Sequence, residues 1–174
     1  MREPPSHADP DLFYGCGVRP TRVAFAVEGW GLSELWRLDG RVLELSHPVP
    51  GGEPTTTGDG LAERIAAWFA GSRDNFADVK LELDWCTPLQ RALLEALRRV
   101  PYGETVTYGE LAALAGRPRA ARAAGALCAR NPFAIVVPCH RVVASGGIGG
   151  YGSFGIAYKR RLLAVEGGNA ARVL

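Results

Sequence analysis

TPLQRALLEALRRVPYGETVTYGELAALAGRPRAARAAGALCAR, residues 87–130, reads as three helices separated by two breaks. Thr87-Pro88 is a helix start. A Thr side chain accepts from a free N–H of the first turn, and Pro at the first helical position forfeits no hydrogen bond. The segment LQRALLEALRRV (89–100) then places Leu89, Leu93, Ala96 and Leu97 on one stripe. PYGET (101–105) breaks it. Thr107 caps a short helix, YGELAALAG (108–116), with Glu110 three residues on to complete a capping box. Gly116 ends that helix and Pro118 opens a third, RAARAAGALCAR (119–130). Two short helices joined by a tight Gly-containing turn form a helix-turn-helix pattern.

Upstream the pattern is that of a sheet. TRVAFAVEG (21–29) alternates with Val23, Phe25 and Val27 on one face. GLSELWRL (31–38) and RVLELS (41–46) flank Asp39-Gly40, two residues that accept positive φ and mark a hairpin. HPVPGGEPTTTGDG (47–60) is a Pro- and Gly-dense loop. LAERIAAWFAG (61–71) is an amphipathic helix with Leu61, Ile65 and Trp68 at helical spacing, and VKLEL (79–83) reads as one more strand. Residues 1–10 are expected to be loosely held. The fold class is α+β, with a boundary near residue 85. A sheet-and-helix part (1–85) precedes a mostly helical part (86–174), and no internal repeat is apparent.

The 174 residues suit one domain, or one with a small companion, and 47% hydrophobic with 22% charged content excludes wholesale disorder. The net charge of +2 conceals a split. Residues 1–85 carry 8 Lys/Arg against 14 Asp/Glu, net −6, and residues 86–174 carry 12 against 4, net +8. A basic half points to a polyanion, although a solvated basic face has the same composition. The four cysteines, Cys16, Cys86, Cys128 and Cys139, form no C-x-x-C pair, which disfavours a zinc site of the usual spacing. No hydrophobic signal core and no apolar run of membrane-spanning length occur, so a soluble cytoplasmic protein is the expectation.

The densest segment is NPFAIVVPCHRVVASGGIGGYG (131–152). Ala134-Ile135-Val136-Val137 reads as a buried strand that delivers Pro138-Cys139-His140-Arg141 at its end. A buried cysteine is ordinarily a small inert hydrophobe, and Cys16, Cys86 and Cys128 are read so. Cys139 differs, because a neighbouring His or cation raises the thiolate fraction and makes a nucleophile. Neighbours on extended chain point opposite ways, so His140 reaches Cys139 more easily through a bent backbone or a bridging water.

PCHRV (138–142), with TYGELAALAG (107–116), AARAAGA (120–126), NP (131–132) and KRRLLAVEG (159–167), resembles the O6-alkylguanine-DNA alkyltransferases, which transfer an alkyl group from DNA to their own cysteine. The resemblance covers roughly 85–167 and is weak, chiefly in layout, before that. It implies an N-terminal ribonuclease H-like sheet-and-helix domain and a winged helix-turn-helix-like domain that enters the DNA minor groove. On it, Cys139 matches the acceptor, His140 the residue that deprotonates it through a water, and Glu166 the carboxylate that orients that His. Asn131 matches the residue that holds the turn before the active-site segment, and Tyr108 the donor to guanine N3. The backbone carbonyls of Cys139 and Val142 would read the exocyclic amine. Arg122 matches the finger that fills the gap left by a flipped nucleotide, and the small residues Ala120, Ala121, Ala123 and Gly125 would let the helix approach the narrow groove.

The loop ASGGIGGYGSFGIAYK (144–159) departs from the family spacing. Tyr151 falls one residue early, and an extra residue near Phe154 restores the frame by Glu166. Tyr151 packs on the flipped base in this reading, and the N–H donor to O6 is Gly152 or Ser153. Cys16, His7 and His47 do not match the zinc ligands of some relatives, so no metal and no cofactor are expected. Double-stranded DNA is the expected partner, no membrane is, and a monomer is the simplest assembly. Two other classes compete with this reading: a cysteine hydrolase on Cys139 and His140, which would turn over, and a non-catalytic damage binder. Such binders lack the acceptor cysteine and usually carry Trp there, so Cys139 argues against them.

Overall fold

The computed structural model describes residues 19–55 and 58–168. The expectations for residues 1–10, His7 and Cys16 lie outside the described residues. Strands β1 (Thr21–Val27), β2 (Gly31–Leu38) and β3 (Arg41–Leu45) form an antiparallel meander in that order. Asp39 and Gly40 turn β2 into β3 with φ of 49° and 74°, the positive pair that matches the strand twist. Phe25, Val27, Leu35 and Leu45 are buried beneath helix α1 (Gly60–Phe69), whose Ile65 and Trp68 are fully enclosed. Asp59 caps α1 through the N–H groups of Leu61 and Ala62.

The segment 79–83 is not a regular strand. It touches the sheet at a single bridge, Val42 to Leu81, through Val42 N–H to the Lys80 carbonyl and Glu82 N–H to the Val42 carbonyl. The chain then bends into Thr87, so alternation of side chains found no longer ladder to join.

Helix α2 (Pro88–Arg98) begins at Thr87 with a complete capping box to Gln90. A two-residue strand, β4 (Val106–Thr107), leads into helix α3 (Tyr108–Leu114), capped reciprocally by Thr107 and Glu110. Gly116, at φ 69°, closes α3. Its N–H donates to Ala113 and that of Arg117 to Ala112, which satisfies the last carbonyls of the helix. Helix α4 spans Ala121–Ala129, two residues later than Pro118 suggested, because Arg117–Ala120 forms a turn closed by Ala120 N–H to the Arg117 carbonyl.

The run 134–137 corrects the sequence reading. It is a buried turn, not a strand. Phe133 makes one bridge to Leu45, and the chain then folds back as Val137 N–H donates to the Phe133 carbonyl. Ile135 takes φ 66°, an unfavourable value for a β-branched residue that the surrounding bonds must hold. Apolar composition reported burial correctly and geometry wrongly. After it come a 3-10 turn, Cys139–Arg141, and strand β5 (Val142–Val143), which pairs in parallel with β4. A second 3-10 turn, Gly152–Phe154, precedes helix α5 (Gly155–Glu166).

The architecture is thus mixed α/β, with two small sheets and five α-helices among the described residues. One apolar cluster runs from Phe25 through Trp68, Leu97 and Phe133 to Leu162, so both halves of the chain share it. No helix among the described residues is long and apolar enough to cross a membrane.

Candidate active site

Asn131 builds the floor of the site. Its Nδ2 donates to the Val137 carbonyl at 2.7 Å, and its Oδ1 accepts from Phe133 N–H at 3.1 Å. A side chain that bridges both ends of the 133–137 turn fixes where Pro138 and Cys139 emerge. The 3-10 turn then bends the backbone so that Cys139, His140 and Arg141 are all buried.

Helix α5 supplies the next layer. Lys159, Leu162, Leu163 and Glu166 are its buried residues, at spacings that place them on one face. Glu166 Oε1 lies 2.9 Å from His140 Nε2, with both side chains fully enclosed. The same carboxylate accepts from Arg141 Nη2 at 2.7 Å and Arg141 Nε at 3.0 Å, and its Oε2 accepts from Gly103 N–H at 3.0 Å. Burial alone would raise the Glu166 pKa, but His140 and Arg141 outweigh it and hold it at about 2. Arg141 keeps Glu166 ionised whatever His140 does. His140 is drawn below its ordinary value by burial, against the pull of Glu166. Trp68, from α1, stands edge-on to the His140 ring at 5.4 Å. The N-terminal half therefore walls the imidazole from behind.

Cys139 opens on a pocket of about 280 Å³ whose walls include Tyr108, Cys128, Asn131, Tyr151 and His47. Gly152 and Ser153 also line it, which brings both candidate N–H donors to the site without choosing between them. The Tyr151 hydroxyl lies 3.6 Å from the Cys139 sulfur. Burial pushes the Cys139 thiol up, while hydrogen bonding from Asn131 and Tyr151 and the charge of Lys159 pull it down. Tyr108 stays a protonated phenol, its pKa raised by burial and then by Cys128 and Cys139.

Val142 is fully buried, and its carbonyl accepts from Lys159 Nζ at 2.6 Å. The Cys139 carbonyl accepts from Val142 N–H. Each carbonyl expected to face the guanine amine thus accepts a hydrogen bond within the protein, and a carbonyl oxygen has a second lone pair. On α4, Arg122 is exposed, Ala121, Ala123 and Gly125 are half-buried, as is Ala120 at its N-cap, and the small residues on the outer face are Ala126 and Ala129. Gly125 lies under Tyr108: a Cβ there would meet the phenol ring at 3.8 Å.

Sequence reasoning missed three residues. Arg141 clamps Glu166. Lys159 is buried and also donates to the Ile148 carbonyl at 2.7 Å, which ties down the Gly-rich loop. His47 enters the pocket from the N-terminal half, where it bonds Tyr151 at 2.6 Å. The local signals were the places of Arg141 inside PCHRV and of Lys159 at the head of KRRLLAVEG; His47 offered none.

Comparison with known proteins agrees with this geometry. The family profile for the 6-O-methylguanine DNA methyltransferase DNA-binding domain matches residues 88–168. A methylated-DNA--protein-cysteine methyltransferase of Mycolicibacterium paratuberculosis is 46% identical over 123 residues, 66% of this chain and 73% of that protein. One from Methanosarcina acetivorans is 48% identical over 107 residues, 61% of this chain and 67% of that protein. Among solved structures, Mycobacterium tuberculosis OGT in complex with DNA superposes with a TM-score of 0.69 at 36% identity, over 83% of this chain and 92% of that one. The O6-methylguanine-DNA methyltransferase of Pyrococcus kodakaraensis gives 0.65 at 30% identity, over 84% and 99%. The cysteine pocket, the helices around it and these relatives converge: the chain belongs to the methylated-DNA--protein-cysteine methyltransferase family.

Proposed function

We propose that this chain repairs DNA by direct reversal, drawing a methyl or other alkyl group from O6 of guanine onto Cys139 in one irreversible turnover. The observation that carries the reading is the 2.9 Å contact between His140 and Glu166, with His140 next in the chain to the buried, pocket-lining Cys139. His140 Nε2 is committed to Glu166, and Nδ1 has no hydrogen bond among the described residues, so Nδ1 is the atom for a water that relays the thiol proton. The thiolate attacks the alkyl carbon, the S–C bond forms, and the C–O6 bond breaks with its electron pair passing to guanine. Tyr108, a protonated phenol at the pocket wall, donates toward N3 as that charge develops. Arg141 and Glu166 cancel one another, so the thiolate and imidazolium that form make a second neutral pair rather than an isolated buried charge. The thioether product has no leaving group for water to displace, which limits each molecule to one turnover.

Double-stranded DNA is the partner, entered through the minor groove by α4, with the O6-alkylguanine flipped into the pocket. The net +8 of residues 86–174 supports phosphate contact. Exposed Arg122 takes the vacated place in the stack, and the small outer face of α4 suits close approach to the groove floor. Cys139 and Val142 carbonyls receive the exocyclic amine, and Gly152 or Ser153 N–H meets O6. We read residues 1–85 as a ribonuclease H-like domain and 86–174 as a winged helix-turn-helix-like domain, acting as a cytoplasmic monomer without metal or cofactor. The test is nucleoside analysis of a duplex carrying O6-methylguanine after incubation with the protein. Guanine should replace O6-methylguanine at that position; release of any other base, or none, would refute the reading.

A further inference from the structure

His47 stands on the segment after β3, and its neighbours leave it little freedom. The Ser46 hydroxyl accepts from Glu34 N–H at 2.9 Å, and the Ser46 carbonyl accepts from the Ser33 hydroxyl at 2.7 Å. On the other side, Val49 exchanges both backbone hydrogen bonds with Leu32 at 2.8 and 2.9 Å. Between these two ties His47 is 8% exposed, and its ring meets Tyr151, Phe154 and Tyr158 edge to face, at centroid distances of 4.9–5.3 Å. Its Nε2 lies 2.6 Å from the Tyr151 oxygen, which lies 3.6 Å from the Cys139 sulfur. A chain of three polar groups thus runs from the N-terminal half to the nucleophile.

A phenol has one proton to give, so the chain has a direction. Once Cys139 is a thiolate its sulfur only accepts, the Tyr151 O–H must point to it, and the Tyr151 oxygen is then free to accept from His47 Nε2–H. The His47 Nδ1 atom is buried and makes no hydrogen bond among the described residues. The opposite tautomer would bury an unpaired N–H there, whereas the Nε2–H tautomer leaves only a lone pair unused. Both arguments select the same direction. We infer that His47 is a positioning residue for the transfer: its Nε2–H holds the Tyr151 oxygen so that the Tyr151 hydroxyl donates to the Cys139 sulfur and supports the thiolate. This rests on the reading of Cys139 as the alkyl acceptor.

The other charged or titratable groups around the sulfur are Lys159 on α5, Cys128 on α4, Tyr108 on α3, and His140 with Glu166 and Arg141 behind it. Around His47 they are Tyr151, Tyr158 and His140. None of these groups besides Tyr151 bridges His47 and the sulfur. His47 itself is pushed down to about 3 by burial and by His140, so it stays neutral at working pH and acts by orientation, not charge.

The test is the pH dependence of Cys139 carbamidomethylation by iodoacetamide, read on the Cys139 peptide by mass spectrometry. His47→Phe should raise the apparent thiol pKa and slow the reaction near neutral pH by about three- to tenfold, and His47→Gln, which keeps a donor, should recover part of it. In a Tyr151→Phe background the same His47→Phe change should have an effect below about twofold, since the link is already cut. An equal effect in both backgrounds, or none in either, overturns the inference. A reading that needs no variant is the ring 15N spectrum of the wild-type protein: His47 should carry its proton on Nε2, and a proton on Nδ1 overturns the inference. Wild-type protein that takes no methyl from methylated DNA would instead refute the proposed function, and leaves these two readouts of His47 intact.

Discussion

Arg141 Nη2 and His140 Nε2 converge on one oxygen, Oε1 of Glu166, at 2.7 and 2.9 Å. The carboxylate that orients the imidazole is therefore also the counter-ion of a buried guanidinium. Glu166→Gln accordingly removes more than a catalytic charge. It leaves Arg141, 3% exposed, without its anion, and breaking a buried pair from one side costs about 3–5 kcal/mol. We expect a clear loss in the urea midpoint for Glu166→Gln and partial recovery in Glu166→Gln/Arg141→Met. A Glu166→Gln protein as stable as wild type would show that the pair does not hold the fold.

Acid should destabilise the protein in two overlapping steps. His47, depressed to about 3 from 6.5, is protonated first in the unfolded chain. Its contribution is complete above about pH 6.5 and is lost as pH falls toward 3. His140 is shifted in the same direction and adds the same sign. Glu166, at about 2 against 4.5, contributes fully above about pH 4.5 and is lost as pH falls through 2. Urea midpoints should fall between about pH 6.5 and 4, and His47→Phe should flatten that slope by up to one proton, about 1.4 kcal/mol per pH unit. An unchanged slope would place a charged or solvated His47 in the native state.

Lys159→Met should loosen the loop before α5. The ammonium bonds the Val142 and Ile148 carbonyls at 2.6 and 2.7 Å, and leaving such groups unpaired costs on the order of 2–3 kcal/mol. Amide exchange over residues 144–152 should quicken and methyl transfer should slow. Unchanged exchange there would mean that the loop holds itself.

Arg122→Ala should separate DNA handling from chemistry. Repair of a duplex requires the base to leave the stack, whereas free O6-benzylguanine has no stack to leave. If Arg122 holds the extruded state, duplex repair slows by roughly two orders of magnitude while the free-base rate stays within about a few-fold. Equal slowing on both substrates would remove the finger assignment.

Helices α2 and α3 were legible because their signals are local. Thr87, Thr107 and Glu110 act on N–H groups within three residues, and the Gly116 stop is set by its own φ. Cys139 could be singled out because His140 and Arg141 follow it directly, whereas Glu166, Asn131 and Tyr108 could be named only through the family resemblance. The turn at 134–137 was not legible, since four apolar residues report burial but not direction, and Asn131 decides the direction through side-chain bonds to Phe133 and Val137. His47 was invisible for another reason. Its partner is 104 residues away, and no spacing rule reaches that far. Arg141 and Glu166 are 25 apart, joined only when α5 lays its buried face on the turn.

On the proposed function, Cys139 accepts one alkyl group and then stops. Intact mass after incubation with excess duplex containing O6-methylguanine tests it most directly. One methyl group per chain should be added, mapped to Cys139, with no further gain with time and no gain in Cys139→Ser. Continued consumption of methylated DNA by unmodified protein, or a methyl group on Cys128 in place of Cys139, would contradict it.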